Sequence, residues 1–290
     1  MQRSISTHVF LRQRLHPGQL DALLRGGAES IEIFAARPHF DYTDRNAVRD
    51  IAVWFRANPV SATMHQPLHA DSEWSRQTTP SVNLIDVEKS RRIDAMDEVK
   101  RALEVAEQIA VESMVIHLGN RGEMWSPRAL EHSLTAIEHL KAFAHPLGVK
   151  LHIENLQNEV TAPENILEVL RVGHFDSVGV CMDVGHANLG DGVENAIELL
   201  APRIKQLHLH DNHGATGGVG KDEHLWPLAT AETGSIDWAC AAKKLAALPP
   251  TVKGTLEIGH SLEETVESVS TKAAAAFAMF EKYAQTSANE

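Results

Sequence analysis

Cysteine is nearly missing from this chain of 290 residues: only Cys181 and Cys240 occur, and they do not form a Cys-x-x-Cys pair. Neither a disulfide framework nor a thiolate zinc site is indicated, and both read as small core residues. Long apolar runs are missing too, so no segment reads as a membrane span. The opening "MQRSISTHVFLRQRL" lacks a long apolar stretch before a small-residue cleavage site and does not read as a secretory signal. The expectation is a cytoplasmic protein with no membrane partner. Cations are scarce, 27 Lys and Arg against 39 Asp and Glu, for a formal charge of −12. That balance weighs against a surface built to gather phosphate backbones, although a local basic patch or bound metal ions would offset it. Tyrosine occurs twice, whereas histidine, the commonest side-chain metal ligand, occurs seventeen times.

Short apolar runs alternate with longer helical patterns along the whole chain. The candidate strands are Ser6 to Phe10, Ser30 to Ala35, Ser61 to His65, Met114 to Leu118, Lys150 to Asn155, Val178 to Asp183, Ile204 to His210 and Gly254 to Ile258. Apolar spacing of three to four residues predicts amphipathic helices between them, clearest at Ile93, Met96, Val99 and Leu103 and again at Val266, Val269, Ala273, Phe277 and Phe280. Eight strands each followed by a helix, with short connections and no linker-like break, predict a single α/β domain over residues 1–290, a (β/α)8 TIM barrel. A doubly wound open sheet also alternates, but it leaves the residues at the strand ends unexplained.

Catalytic groups of such a barrel project from the C-terminal ends of the strands. Here strand three ends at His65, four at His117, five at Glu154, six at Asp183 with His186 three residues on, seven at His208 and eight at Glu257. The loop after strand seven adds Asp222 and His224 in "KDEHLWP". Read alone, "VGVCMDVGHANLG" offers an Asp that caps the next helix and a His under a loop. Six consecutive strand ends carrying oxygen or imidazole donors are harder to explain that way. Side chains alternate along a strand, so Glu154 lies opposite Leu151 and Ile153, and Glu257 opposite Leu256 and Ile258. Acids turned into a barrel need a cation or a proton. A divalent metal held by Glu154, Asp183, His208 and Glu257 satisfies them together. His65, His117, His186, Asp222 and His224 are candidate further ligands, and His152, His210 and His213 are assigned supporting roles.

The segments "VIHLG", "HIENL", "VGVCMDVGHA", "LHLHDN", "KDEHLWP" and "TLEI" resemble the xylose isomerase-like TIM-barrel superfamily. It includes sugar phosphate isomerases and epimerases and the AP endonucleases of the endonuclease IV type (AP endonuclease family 2). The sugar branch implies one divalent ion (Mn, Co or Mg, with Zn also within the range of the ligand set) on Glu154, Asp183, His208 and Glu257. In that branch Glu154 and Glu257 double as the acid/base pair and His186 contacts substrate oxygen. Ketose epimerases of this group place an arginine shortly after the strand-seven His, and "HLHDNHGATGG" has none, which speaks against a simple ketose 3-epimerase. The "ETGSIDW" segment also departs from the superfamily's Gly-x-Gly run.

The endonuclease branch implies up to three zinc ions on His65, His117, Glu154, Asp183, His186, His208, Asp222, His224 and Glu257. All nine positions are present, but the loops "FDYTD", "HADSEWS" and "GNRGEMW" carry few cations and do not match that branch's DNA-penetrating loops. DNA binding calls for phosphate contacts. Phe40, Tyr42, Trp74, Trp125 and Trp226 suit the apolar face of a sugar ring, with Trp125 and Trp226 placed against substrate. The first expectation is therefore a metal-dependent sugar (phosphate) isomerase or epimerase acting on a small sugar or polyol derivative. A multi-zinc phosphodiesterase is the alternative and a non-catalytic ligand-binding barrel the third. The last helix offers apolar positions to a second copy of the chain, or to its own barrel.

Overall fold

In a computed structural model, described for residues 1–70, 78–216, 219–228, 234–259 and 264–288, eight parallel strands close into a barrel. They are β1 (Gln2–Ser6), β2 (Ser30–Phe34), β3 (Ser61–His65), β4 (Val111–Ile116), β5 (Lys150–Glu154), β6 (Gly179–Asp183), β7 (Ile204–Leu209) and β10 (Lys253–Leu256), with β10 beside β1. The strands β8 (Ala215–Thr216) and β9 (Val219–Gly220) form a small antiparallel pair after β7. The helices are α1 (Pro17–Arg25), α2 (Arg45–Ala57), α3 (Lys89–Leu103), α4 (Pro127–Ala144), α5 (Pro163–Val172), α6 (Val184–Leu189), α7 (Val193–Leu200), α8 (Trp238–Ala246) and α9 (Val266–Ala288). None of them, among the described residues, is long and apolar enough to cross a membrane.

Helix starts follow local chemistry. Asp44, Ser126 and Asp237 each cap a helix with a side-chain oxygen, and Pro127 begins α4, where its missing N–H costs nothing. The apolar core lies outside the barrel wall: Ile5, Ile31, Met64, Ile153, Val180, Leu207 and Leu256 pack under the helices. Val269, Ala273, Phe277 and Phe280 of α9 join that core, so the last helix packs on its own barrel.

The interior is polar. Ser4, Glu32, Thr63, His152, Gln206 and Thr255 are all buried, on the strand faces opposite the core residues. This polarity explains a difference from the sequence reading. The first strand is Gln2–Ser6, and Thr7–Phe10, expected as strand, is a 3-10 helix whose His8 N–H is capped by the Ser6 hydroxyl. Polar residues in β1 face a polar barrel, so the strand does not advertise itself by hydrophobicity.

Candidate metal centre

At the C-terminal mouth the strands deliver acids and imidazoles to one place. Glu154, Asp183, His208 and Glu257 are all buried, and one donor atom from each lies within 4.8 Å of the others. The His208 Nδ1 is at the centre, 3.5 Å from Glu154 Oε1, 3.7 Å from Asp183 Oδ2 and 3.5 Å from Glu257 Oε2. Asp183 resolves the two readings of its sequence, because it does both jobs. Its Oδ1 accepts the His186 N–H at 2.6 Å and caps α6, while Oδ2 belongs to the cluster. Asn155 fixes this strand end, its amide oxygen accepting the Asp183 N–H and its NH2 donating to the Asp183 carbonyl.

Two further groups share this centre. His65, His117 and Glu154 form one, with His117 Nε2 at 3.0 Å and His65 Nε2 at 3.3 Å from Glu154 Oε2. His186, His210, Asp222 and His224 form the other, with Asp222 Oδ2 at 3.3 Å from His186 Nε2 and 2.9 Å from His224 Nε2. In three of these rings Nδ1 faces a backbone carbonyl: Gln66 for His65, Asn155 for His186 and Glu257 for His224. Donating Nδ1–H to a carbonyl leaves Nε2 to present its lone pair inward, the arrangement found around bound metals.

Electrostatics agree with that arrangement. Burial opposes a charge on Glu154, yet the neighbouring His208 and His117 rings hold its carboxyl well below the usual range. Burial likewise opposes charge on Asp222, and His224 and His186 hold it well below. His186 and His208 move the other way: burial disfavours the imidazolium, but Asp183 and Asp222 raise the first, and Glu257, Glu32 and Glu154 help raise the second. Within the pair of rings 3.0 Å apart, burial lowers His117 while Glu154 raises His65 against its own burial. The acids thus favour the charged form of His186 and His208, and those rings in turn favour the ionised acids. The His208 Nδ1 and Asp222 Oδ1 are buried without a hydrogen-bond partner, and the oxygen and imidazole donor set suits Zn, Mn or Co. The residues therefore fit a divalent ion.

The signs of these shifts give a pH dependence. The raised histidines contribute stability that is complete below about pH 6.5 and is lost as pH rises through their folded values. The lowered carboxylates contribute stability present above about pH 4.5 and lost only as pH falls through their depressed values. Metal-stripped protein is expected to be most stable between those limits and to weaken toward pH 9. Urea unfolding at pH 6 and pH 9 checks this, a flat profile being the contrary result.

Residues 20–277 match the xylose isomerase-like TIM barrel family. The chain belongs to that family. It is 28% identical over 236 residues to the protein MJ1311 of Methanocaldococcus jannaschii, an alignment covering 78% of this chain and 74% of that one. Solved structures of other proteins share the fold, two of them as follows. A D-tagatose 3-epimerase-like protein has a TM-score of 0.74 at 20% identity, covering 100% of this chain and 99% of its own. The IOLI protein with a binding zinc atom has a TM-score of 0.79 at 17% identity, covering 98% and 99%.

In this xylose isomerase-like barrel the centre opens into a cavity of about 660 Å³. Phe34, Leu68, Leu156 and Leu225 give it apolar walls, and Asn120, Arg121 and Lys221 polar ones. Of the aromatics singled out in the sequence, the four described ones are not among the residues that line this cavity. Trp125 and Trp226 are half-buried against the core and are not among the described side chains lining the cavity; the Trp226 Nε1–H donates to Glu264. Phe40 and Tyr42 are buried, the Tyr42 hydroxyl donating to Glu98, which Arg37 also pairs. Trp74 lies outside the described residues.

His8 and Phe34 line the cavity without having been singled out in the sequence: the His8 Nδ1–H donates to the Ile258 carbonyl, and Phe34 stacks on His65 at 4.5 Å. His210 lies flat on His224, centroids 3.8 Å apart, and hydrogen-bonds Asp183 Oδ2 through Nε2. His210 thus takes a place in that group of four donors, where the sequence reading gave it only a supporting role. Its ring occupies the space a Cβ on Gly185 would need. Gly185→Ala is expected to destabilise the fold by about 1–3 kcal/mol, because the ring cannot retreat without losing both contacts. A thermal midpoint within a degree of wild type would contradict that packing.

Proposed function

We propose that this chain is a divalent-metal-dependent isomerase or epimerase that moves a proton alpha to the carbonyl of a sugar or polyol derivative. The observation that carries the reading is the placement of two glutamates from different strands, Glu154 and Glu257, each 3.5 Å from the same His208 nitrogen. A bound divalent ion would hold adjacent carbonyl and hydroxyl oxygens and make the carbon-bound proton more acidic. Glu154 and Glu257 would remove and return that proton; the histidines around Glu154 keep its carboxyl in the ionised form that can accept one, at some cost in basicity. His186, raised in basicity and lining the cavity, would donate to a substrate oxygen. The cavity has the volume of a small-molecule site, and its polar walls suit hydroxyl groups. The match to the xylose isomerase-like TIM barrel family and the D-tagatose 3-epimerase-like fold neighbour support the same class.

The reading is tested by incubating metal-loaded protein in D2O with ketoses, aldoses and inositol derivatives, free and phosphorylated, and following loss of C–H signals by NMR. Exchange at a carbon next to the carbonyl is expected for at least one compound. No exchange across the panel, together with cleavage of a phosphodiester, would reject it.

One observation favours a second reading, a multi-zinc phosphodiesterase: the two further groups, His65–His117–Glu154 and His186–His210–Asp222–His224, are assembled as tightly as the first. Ions held there would activate water and stabilise a phosphodiester under attack. The cations among the described cavity-lining residues are Arg121 and Lys221, few for a protein that must grip several DNA phosphates.

A further inference from the structure

Glu32 has no part in the groups described so far, and nothing at the end of a strand points to it. It lies in the middle of β2, wholly buried, in register with Ser6 of β1 and Thr63 of β3. Alternation places it on the strand face opposite Ile31 and Ile33, which belong to the apolar core, and so inside the barrel. Its Oε2 lies 3.0 Å from His208 Nε2 and accepts a hydrogen bond from the Gln206 side-chain NH2 at 2.6 Å. His208 is therefore held from both ends. Its Nε2 meets a carboxylate below, and its Nδ1, without a hydrogen-bond partner, stands among three carboxylates above.

A neutral imidazole in this position, the form that can bind a metal, has two tautomers to choose between. Beside the Glu32 carboxylate the proton belongs on Nε2, which leaves Nδ1 as the lone pair facing Glu154, Asp183 and Glu257. A carboxylate at Nε2–H also makes the opposite nitrogen a stronger donor. Neutral partners at this depth, such as the nearby Thr63 or Ser4 hydroxyls, would hold the ring without that electronic effect.

We infer that Glu32 is a positioning residue: it fixes His208 as an Nδ1 metal ligand and sets the affinity of the Glu154–Asp183–His208–Glu257 group for a divalent ion. This rests on the proposal that the four residues hold a metal. It requires neither an isomerase nor a phosphodiesterase outcome.

The test is direct titration of metal-stripped wild type, Glu32→Ala and Glu32→Gln with Co(II), read by calorimetry and by the visible d–d bands, with circular dichroism as the check on folding. Glu32→Ala is expected to bind about 10–100-fold more weakly at the four-residue group and to show altered bands, since the ring loses its anchor. Glu32→Gln keeps an acceptor for Nε2–H and loses the charge, so its affinity is expected between the two. A purely structural role would lower the unfolding midpoint while leaving affinity and bands of the folded protein unchanged. Wild-type affinity and bands in both variants would overturn the inference, and if Glu32→Ala does not fold, Glu32→Gln alone decides by the same criterion. Wild type that binds no Co(II) at all would instead reject the metal site itself.

Discussion

Glu257→Gln is expected to lower kcat by about 10²- to 10⁴-fold, the usual contribution of a positioned acid or base. The substitution changes charge and proton affinity while keeping shape. Glu257 is the cleaner of the two glutamates to test, because its side chain meets only His208, at 3.5 Å, and His224, at 3.4 Å, among the described ion-pair contacts. Glu154 instead lies within 3.3 Å of His65, His117 and His186, so removing its charge perturbs three rings at once. A Glu257→Gln protein that stays folded, binds metal and turns over at the wild-type rate would remove Glu257 from the chemistry.

Chelation is expected to have the second large effect. Glu32, Glu154, Asp183, Asp222 and Glu257 bring five carboxylates into one buried or half-buried region, where they favour the charged form of His186 and His208. An ion present at a thousand times its Kd adds about 4 kcal/mol of stability. For a chain of this size that corresponds to a midpoint on the order of 10 °C lower after stripping. Activity should vanish with the metal and return on its addition. Because His208 must give up its proton to serve as a ligand, apparent affinity should rise with pH, with protons released on binding. Scanning calorimetry of stripped and reloaded protein at two pH values checks both statements, and an unchanged midpoint would count against a tightly held ion.

Much of this site was legible in the sequence for a simple reason. An acid that ends an apolar run is costly to bury alone, and Glu154, Asp183 and Glu257 each do so, as do His65 and His208 on their strands. The closed barrel followed from the same alternation. Glu32 escaped because it sits in the middle of "SIEIF", where attention to strand ends does not reach, although its alternation with Ile31 and Ile33 carries the same information as that of Glu154. The first strand was misplaced because the barrel interior is polar, which leaves "QRSIS" without the apolar run that marks the other strands. The aromatics were the least legible: whether Tyr42 meets substrate or Glu98 depends on a loop path that no periodicity encodes.

The most direct test of the account is the number of metal ions per chain, by elemental analysis of protein purified without chelator, beside His186→Ala. His186 touches the four-residue group but is not among its ligands. The account predicts about one divalent ion per chain, retained in the variant, as expected for a single site of four protein donors. Close to three zinc ions, falling in the variant, would contradict it and make a phosphodiester the substrate to pursue.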